Sequence, residues 1–295
     1  VVTEINSGLY CFDTGLLRAA LGELSNDNAQ GEYYLTDTIA ILLKTGYRVG
    51  AFRLADDREI MGINDKVQLS QANEAMKQKI IREHMLQGVT FINPDSCYIS
   101  PETEMEPDVV IYPGTLLEGK CKIGCGAVIG PNTHLTDVTV GENTKIESSV
   151  LCSSTAGSDT TVGPFAYVRP GSTIGSHVKV GDFVEVKNSV IGEGTKISHL
   201  TYVGDSDVGE KVNFGCGTVT VNYDGQEKHR TTIGDRSFIG CNTNLVAPVT
   251  VEADSYIAAG STITDTVPTD ALAIARSRQV VKQGWKKNKF GSDNK

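Results

Sequence analysis

No stretch of this chain approaches the ~20 consecutive apolar residues of a membrane span, and the N-terminus lacks the charged-then-apolar pattern of a signal peptide. Seven cysteines, an odd number with no C-x-x-C pair, exclude a disulfide framework or a zinc ribbon. Cys121 and Cys125 form a solitary C-x-x-x-C and read as small buried residues. Positive charge is not in excess either: the formal net charge is -9, which argues against general nucleic-acid binding and means that an anionic ligand needs a local basic site. The expectation is a cytoplasmic protein. What is present is 295 residues, 39% hydrophobic and 21% charged, enough for two domains with separate cores.

From about Val109 to Ile263 an aliphatic residue recurs every six positions, usually followed by glycine. Val162, Val168, Ile174, Val180 and Val186 keep this step; after a five-residue step Ile191, Ile197 and Val203 resume it, and Ile233, Ile239, Leu245, Val251, Ile257 and Ile263 close the series. Neither a helix nor an alternating strand turns a side chain inward once in six. A coil with three short flat faces does, so the pattern predicts a parallel β-helix of hexapeptides with turns of roughly 18 residues, roughly eight or nine of them. In Ile174-Gly175, Val180-Gly181, Ile191-Gly192, Val208-Gly209, Ile233-Gly234 and Ile239-Gly240 the glycine is expected to supply positive φ at a tight bend. Two interruptions are expected: a corner excursion at 151–161 and a longer, polar one at 216–232.

The first 64 residues look different. Gly8–Phe12 and Arg48–Leu54 read as strands, Thr14–Leu24 and Gly31–Leu43 as helices, which makes an α/β piece with too few strands for a full doubly wound sheet. Val67–Gln87, with Leu69, Ala72, Met76 and Ile80 on one face, reads as a long connecting helix. The chain opens Val-Val-Thr-Glu in what looks like mid-strand, so an upstream segment is expected. Past Pro268 the hexads stop, and Ala271–Gln283 is expected to be a short helix before the basic run Lys286-Lys287-Asn288-Lys289. The resulting division is 1–66, 67–88 and 89–295.

Reactive groups on such a fold lie at the corners, outside the packed core. Among His134, His177, His199 and His229, His199 stands out, because residues about one turn apart stack ~5 Å from each other. That spacing aligns Arg169, Lys187 and the region of Tyr202 in a stripe, and two like charges on a stripe are relieved by a phosphate. A solvated charged face accounts for the same stripe at this point.

The segment VRPGSTIGSHVKVGDFVEVKNSVIGEGTKISHLTYVGDSDVGEKVNFGCGTVTVNYDG resembles the acetyltransferase domain of the bacterial bifunctional N-acetylglucosamine-1-phosphate uridyltransferase/glucosamine-1-phosphate N-acetyltransferase family, and EINSG, GEYYLTD and GINDKVQLS resemble its uridyltransferase domain. The similarity covers essentially the whole chain. It implies a Rossmann-like α/β nucleotidyltransferase piece lacking its N-terminal part, a linker helix, and a left-handed parallel β-helix, assembled as a homotrimer with sites between subunits. It also implies roles. Arg169, Lys187, Tyr202, Asn213 and Lys228 match residues holding the sugar phosphate, His199 matches the general base, and Glu185 matches a residue that orients the amine or supports His199. Cys216, Asn222, Tyr223, Cys241, Ala259 and Arg276 match positions around acetyl-CoA; Cys241 stands where many members have Ser, and a thiol is the poorer donor. Asn6, Tyr34 and Thr36 match sugar-nucleotide contacts, and Asn64 matches one of two Mg²⁺ ligands whose carboxylate partner this chain lacks. Two rivals remain: a zinc anhydrase, for which no third histidine falls in phase with His177 and His199, and an inactive structural or regulatory solenoid.

Overall fold

Residues 4–290 are described by the computed structural model, which divides the chain into two compact units meeting in sequence at Ala75 and Met76. In the second unit the backbone winds into three parallel sheets of 11, 10 and 9 strands. Each strand pairs with those one coil before and after it, 16 to 18 residues away over most of the length. The three-sided parallel β-helix expected from the hexads is therefore what forms. Every phased aliphatic is inside: Val180, Val186, Ile197, Val203, Ile239, Leu245 and Ile257 are fully buried. Burying each contributes roughly 1.5–3 kcal/mol, and a coil gains this only against its neighbours, which is why the stack holds as a unit.

Pairing starts at Thr90–Phe91 and ends at Leu272–Ala273, beyond the phased run at both ends, so the solenoid has about ten turns rather than eight or nine. Three further expectations change. The 151–161 segment is regular coil, with strands Val150–Cys152, Thr155–Ala156 and Thr161–Val162 in register with their neighbours. The real excursion is shorter than 216–232, because Val219–Val221 and Thr231–Ile233 are strands and only 222–230 leaves the coil. In place of the helix at Ala271–Gln283, Leu272–Ala273 is a last strand and a six-residue helix follows at Trp285–Phe290. Cys121 is buried as expected, but Cys125 is only half-buried.

The glycines after the inward residue act by absence of bulk. None of the six carries positive φ; a Cβ at Gly175 or Gly192 would lie 2.9 or 2.4 Å from backbone of the next coil. Positive φ falls instead on corner residues such as Asn143, Asn188, Asp205 and Asp254, whose side chains tolerate or stabilise the left-handed region. Buried threonines tie coil to coil: Thr160 Oγ1 donates to Gly175 O at 2.8 Å and Thr195 Oγ1 to Gly209 O at 2.9 Å.

The first unit contains α1, Thr14–Gly22, capped by Asp13 Oδ1 accepting from Gly15 and Leu16 N–H at 2.9 and 3.0 Å, and α2, Asp37–Lys44. Helix α2 starts six residues later than expected, since Asn28 Oδ1 holds the Gln30 and Glu32 amides in a turn. Gly8–Phe12 and Arg48–Leu54 run as backbone without a ladder, because no described strand of this unit lies beside them to pair with. Residues 1–3 of the expected opening strand lie outside the described residues.

Helix α3, Lys66–Leu86, is close to the expected Val67–Gln87. Its buried residues are Lys77, Ile80, Ile81 and His84, whereas Met76 is 55% exposed. Ile80 and Ile81 join the hydrophobic core of the coils, and Lys77 donates to the Asp95 carbonyl at 2.9 Å while its stem is covered. Among the described residues no helix is long and apolar enough to cross a membrane.

Candidate functional site

One column of residues runs along the edge of the first sheet. Asp182 and His199 are partners in the ladder. Continuing the register through Ile197, Phe214, Ile239 and Ile257 places Cys216, Cys241 and Ala259 on the successive tiers above His199. Hydrogen bonds fix those tiers: Asn242 N–H donates to Cys216 O at 2.8 Å, and Gly260 N–H to Cys241 O at 2.7 Å. Arg276 stands at the top, its Cδ 3.7 Å from where a Gly260 Cβ would be. Close stacking is possible at the base because Gly181 has no side chain; a Cβ there would sit 2.0 Å from Ser198 O.

His199 Nδ1 lies 2.7 Å from Asp182 Oδ1. A carboxylate only accepts, so the proton is on Nδ1 and the Nε2 lone pair is left to take another. The hydrogen bond from His199 holds the Asp182 carboxyl below its usual range. The imidazole is 58% exposed and reachable by a solute. Asp182 was not among the expected residues, although it precedes His199 by one 17-residue coil. Glu185 faces Tyr167 and Tyr202 in the second sheet and accepts from Arg169 Nη1 at 2.9 Å.

The expected stripe is two adjacent columns on the second sheet. Glu185 and Tyr202 share one; Arg169 and Lys187, whose ladder continues to Gly204, share the next. Tyr202 therefore stacks on Glu185, and its ring folds over Gly204, where a Cβ would be 2.3 Å from the hydroxyl. Lys187 Nζ is 3.4 Å from Asp205 Oδ2. The Lys228 amine lies near enough to the Lys187 amine for each to shift the other. Of two such groups, the one without a carboxylate yields its proton first: hydrogen bonding and repulsion from Lys187 push Lys228 below the ordinary lysine value, while contact with Lys228 and the nearby Asp205 hold Lys187 above it. Arg169 adds a third cation to this corner of an acidic protein, held above the ordinary arginine value by Glu185.

The 222–230 excursion is a structured loop. Tyr223 and Lys228 bridge antiparallel, Asp224 accepts from Gln226 and Glu227 N–H at 2.8 and 2.7 Å, and His229 Nε2 is 2.7 Å from Asp224 Oδ2. These donors, Glu227 N–H foremost, depress the Asp224 carboxyl strongly. The loop presents Tyr223, 56% exposed, and Lys228. Asn222 stays buried, its Nδ2 donating to Tyr202 OH at 3.3 Å and to Asp205 Oδ2.

One chain thus brings together Arg169, Glu185, Lys187, Tyr202, Asn222 and Lys228, and separately aligns His199, Cys216, Cys241, Ala259 and Arg276. Asn213 joins neither group; it lies on the first sheet between Lys196 and Phe238. His177 occupies another corner, 3.8 Å from Glu193, and His134 pairs with Glu118 at 2.7 Å. In the first unit Asn6 and Thr36 line a cavity of about 980 Å³, and Tyr34 and Asn64 do not. The Asn64 backbone N–H donates to Gln68 Oε1 at 2.6 Å. No group of three or more His, Cys, Asp or Glu able to hold a metal occurs among the described residues.

The bacterial transferase hexapeptide family, a six-repeat model, matches residues 120–153, 157–188 and 230–265. The bifunctional protein GlmU of Clostridium acetobutylicum is 56% identical over 284 residues, 96% of this chain and 62% of that protein. GlmU of Clostridioides difficile is 51% identical over 294 residues, 100% of this chain and 64% of that one. The chain therefore spans a little over three fifths of the length of these relatives. Among solved structures, an Arabidopsis UDP-N-acetylglucosamine acyltransferase matches with a TM-score of 0.44 and 15% identity, over 67% of this chain and 77% of that one. With its hexapeptide coils and more than half of its residues identical along nearly its whole length, the chain is a relative of the bifunctional GlmU proteins.

Proposed function

We propose that the chain transfers an acetyl group from acetyl-CoA to the amine of glucosamine-1-phosphate, giving N-acetylglucosamine-1-phosphate for UDP-N-acetylglucosamine and cell-wall synthesis. The observations that carry this reading are the cluster of Lys187, Lys228 and Arg169 and, on the adjoining column, a histidine whose Nδ1 is committed to Asp182. A phosphate relieves the repulsion between the cations and leaves the sugar amine to be deprotonated.

His199 Nε2 takes a proton from the attacking nitrogen, which adds to the thioester carbonyl carbon. The Cys216 N–H stabilises the oxyanion. Collapse breaks the carbon–sulfur bond, and the proton held by His199 goes to the coenzyme A thiolate. Cys241, Ala259 and Arg276 line the donor along the column, and Tyr202, Asn222 and Tyr223 position the two substrates. Glu185 acts by holding Arg169. Asn213, apart from the cation cluster within one chain, fits a homotrimer in which a neighbouring subunit completes the site. Residues 1–66 correspond to part of a uridyltransferase domain, with Asn6, Tyr34 and Thr36 toward a UDP-sugar; no step is assigned to Mg²⁺ there.

A thiol-release assay with acetyl-CoA tests this. Release is expected with glucosamine-1-phosphate and to be far slower with glucosamine. No release with either, from a protein that binds acetyl-CoA, favours the inactive solenoid instead.

A further inference from the structure

We infer that Asp205 is a positioning residue that sets the orientation of the Asn222 amide and so couples the phosphate side of the site to the acetyl-donor side, an inference that rests on the acetyltransfer reading. Asp205 follows the strand Tyr202–Gly204 with φ of 48°, a left-handed conformation that Asp tolerates well. Its side chain is only 7% exposed and both of its carboxylate oxygens are taken by protein donors, so it acts through other residues.

Every polar atom of this residue is engaged. Oδ1 accepts from Asn188 Nδ2 at 2.6 Å, and Oδ2 accepts from Asn222 Nδ2 and from Lys187 Nζ, the latter at 3.4 Å. Its backbone N–H donates to Lys187 O at 2.9 Å, and its carbonyl accepts from Thr231 N–H at 3.1 Å. Asn222 and Thr231 bound the excursion 222–230, so one aspartate grips both of its ends. Burial opposes ionisation here, but the donors from Asn188, Asn222 and Lys187 outweigh it and hold the carboxyl below its usual range.

An asparagine side chain on its own turns either end toward a neighbour. A carboxylate accepts only, so the amide nitrogen of Asn222 must face Asp205, and Tyr202 OH takes its second hydrogen at 3.3 Å. The Asn222 oxygen is left as the group that meets an N–H of donor or acceptor. The same carboxylate pairs with Lys187, so the amide and the phosphate-binding ammonium are set by one anion.

Calorimetric titration of acetyl-CoA into the full chain, with steady-state kinetics in parallel, tests the assignment. Asp205→Asn and Asn222→Ala are each expected to weaken acetyl-CoA about tenfold, and the two together no more than either alone, because the amide that Asp205 orients is already gone. Asn222→Asp sets two carboxylates against each other and is expected to bind worst. Adding Asp205→Asn to it restores a donor–acceptor pair with an oxygen facing out, and binding is expected to recover to within a few-fold of the parent. Melting curves identify any variant that fails to fold, and the exchanged pair keeps the test open if Asp205→Asn alone does. Losses that multiply in the Asp205→Asn, Asn222→Ala pair, or an exchange that recovers nothing, overturn the proposal. A parent chain that binds acetyl-CoA without acetylating glucosamine-1-phosphate sinks the reaction and leaves the orientation of Asn222 to be decided by these affinities; one that binds no acetyl-CoA overturns both.

Discussion

Short apolar runs occur in both units of this chain, with opposite outcomes. Ile5, Leu9 and Phe52 of the first unit are 81, 75 and 89% exposed, whereas Val180, Ile197 and Val203 of the coils are fully buried. The difference lies in what adjoins each run. A coil strand has a parallel neighbour before and after it, so its backbone is satisfied and its aliphatic side chain points into the stack. Gly8–Phe12 has no such neighbour among the described residues of its unit. An apolar run therefore makes a strand only where another strand is supplied, and side chains that do chemistry can be held in fixed register only there.

Removing the base inside that register is expected to have the largest effect. His199→Ala should lower kcat by about 10²–10⁴-fold while acetyl-CoA binding is nearly unchanged. Turnover retained in that variant would discard the assignment of the base.

The contrast in burial is tested by stability. Ile197→Ala, two residues before His199, removes a fully buried side chain and is expected to cost about 2–5 kcal/mol. Phe52→Ala, at an 89% exposed position, is expected to stay within about 0.5 kcal/mol. Denaturation of the two variants side by side measures both, and equal losses would erase the distinction between the units.

The solenoid was legible because its period is self-enforcing: each inward aliphatic implies the next, and Val162 through Ile263 are buried as phased. What was misread depended on neighbours outside the local pattern. Whether a glycine after the inward residue serves a bend or a close approach is decided by the coil above it, as at Gly192 against Gly209. Strands at 8–12 and 48–54 were read from side-chain character, which says nothing of ladder partners. Within the site, the resemblance leaves Glu185 either to orient the amine or to support His199, and only the 17-residue coil shows that it lies beside Tyr202. The same spacing leads from His199 back to Asp182, so that partner was readable and was missed.

A smaller effect is expected at Asp182. Asp182→Asn keeps the size of the residue but can turn its NH₂ toward Nδ1, which favours the tautomer with its proton on Nε2. A fall in kcat of about tenfold is expected, with little change in KM for either substrate. A loss confined to melting temperature would mean that the carboxylate serves the fold alone.

The smallest effect concerns how the cation cluster responds to pH. Lys228 is held below the ordinary lysine value by its contact with Lys187, so it loses its charge at lower pH than an isolated lysine. The charged form exists below that depressed pKa and disappears as pH rises through it, taking one of the three cations from the phosphate. KM for glucosamine-1-phosphate is therefore expected to rise severalfold on the alkaline side, earlier than free lysine chemistry predicts. A bound phosphate opposes the loss by favouring the protonated amine, so kcat, read at saturating substrate, should hold to higher pH than kcat/KM does. Lys228→Met is expected to start from a higher KM and to lack this limb, while glucosamine without phosphate should lack it in the parent chain as well. An alkaline limb shared equally by both sugars would place the titrating group elsewhere than Lys228 and would leave the contact between the two lysines a feature of the unliganded surface.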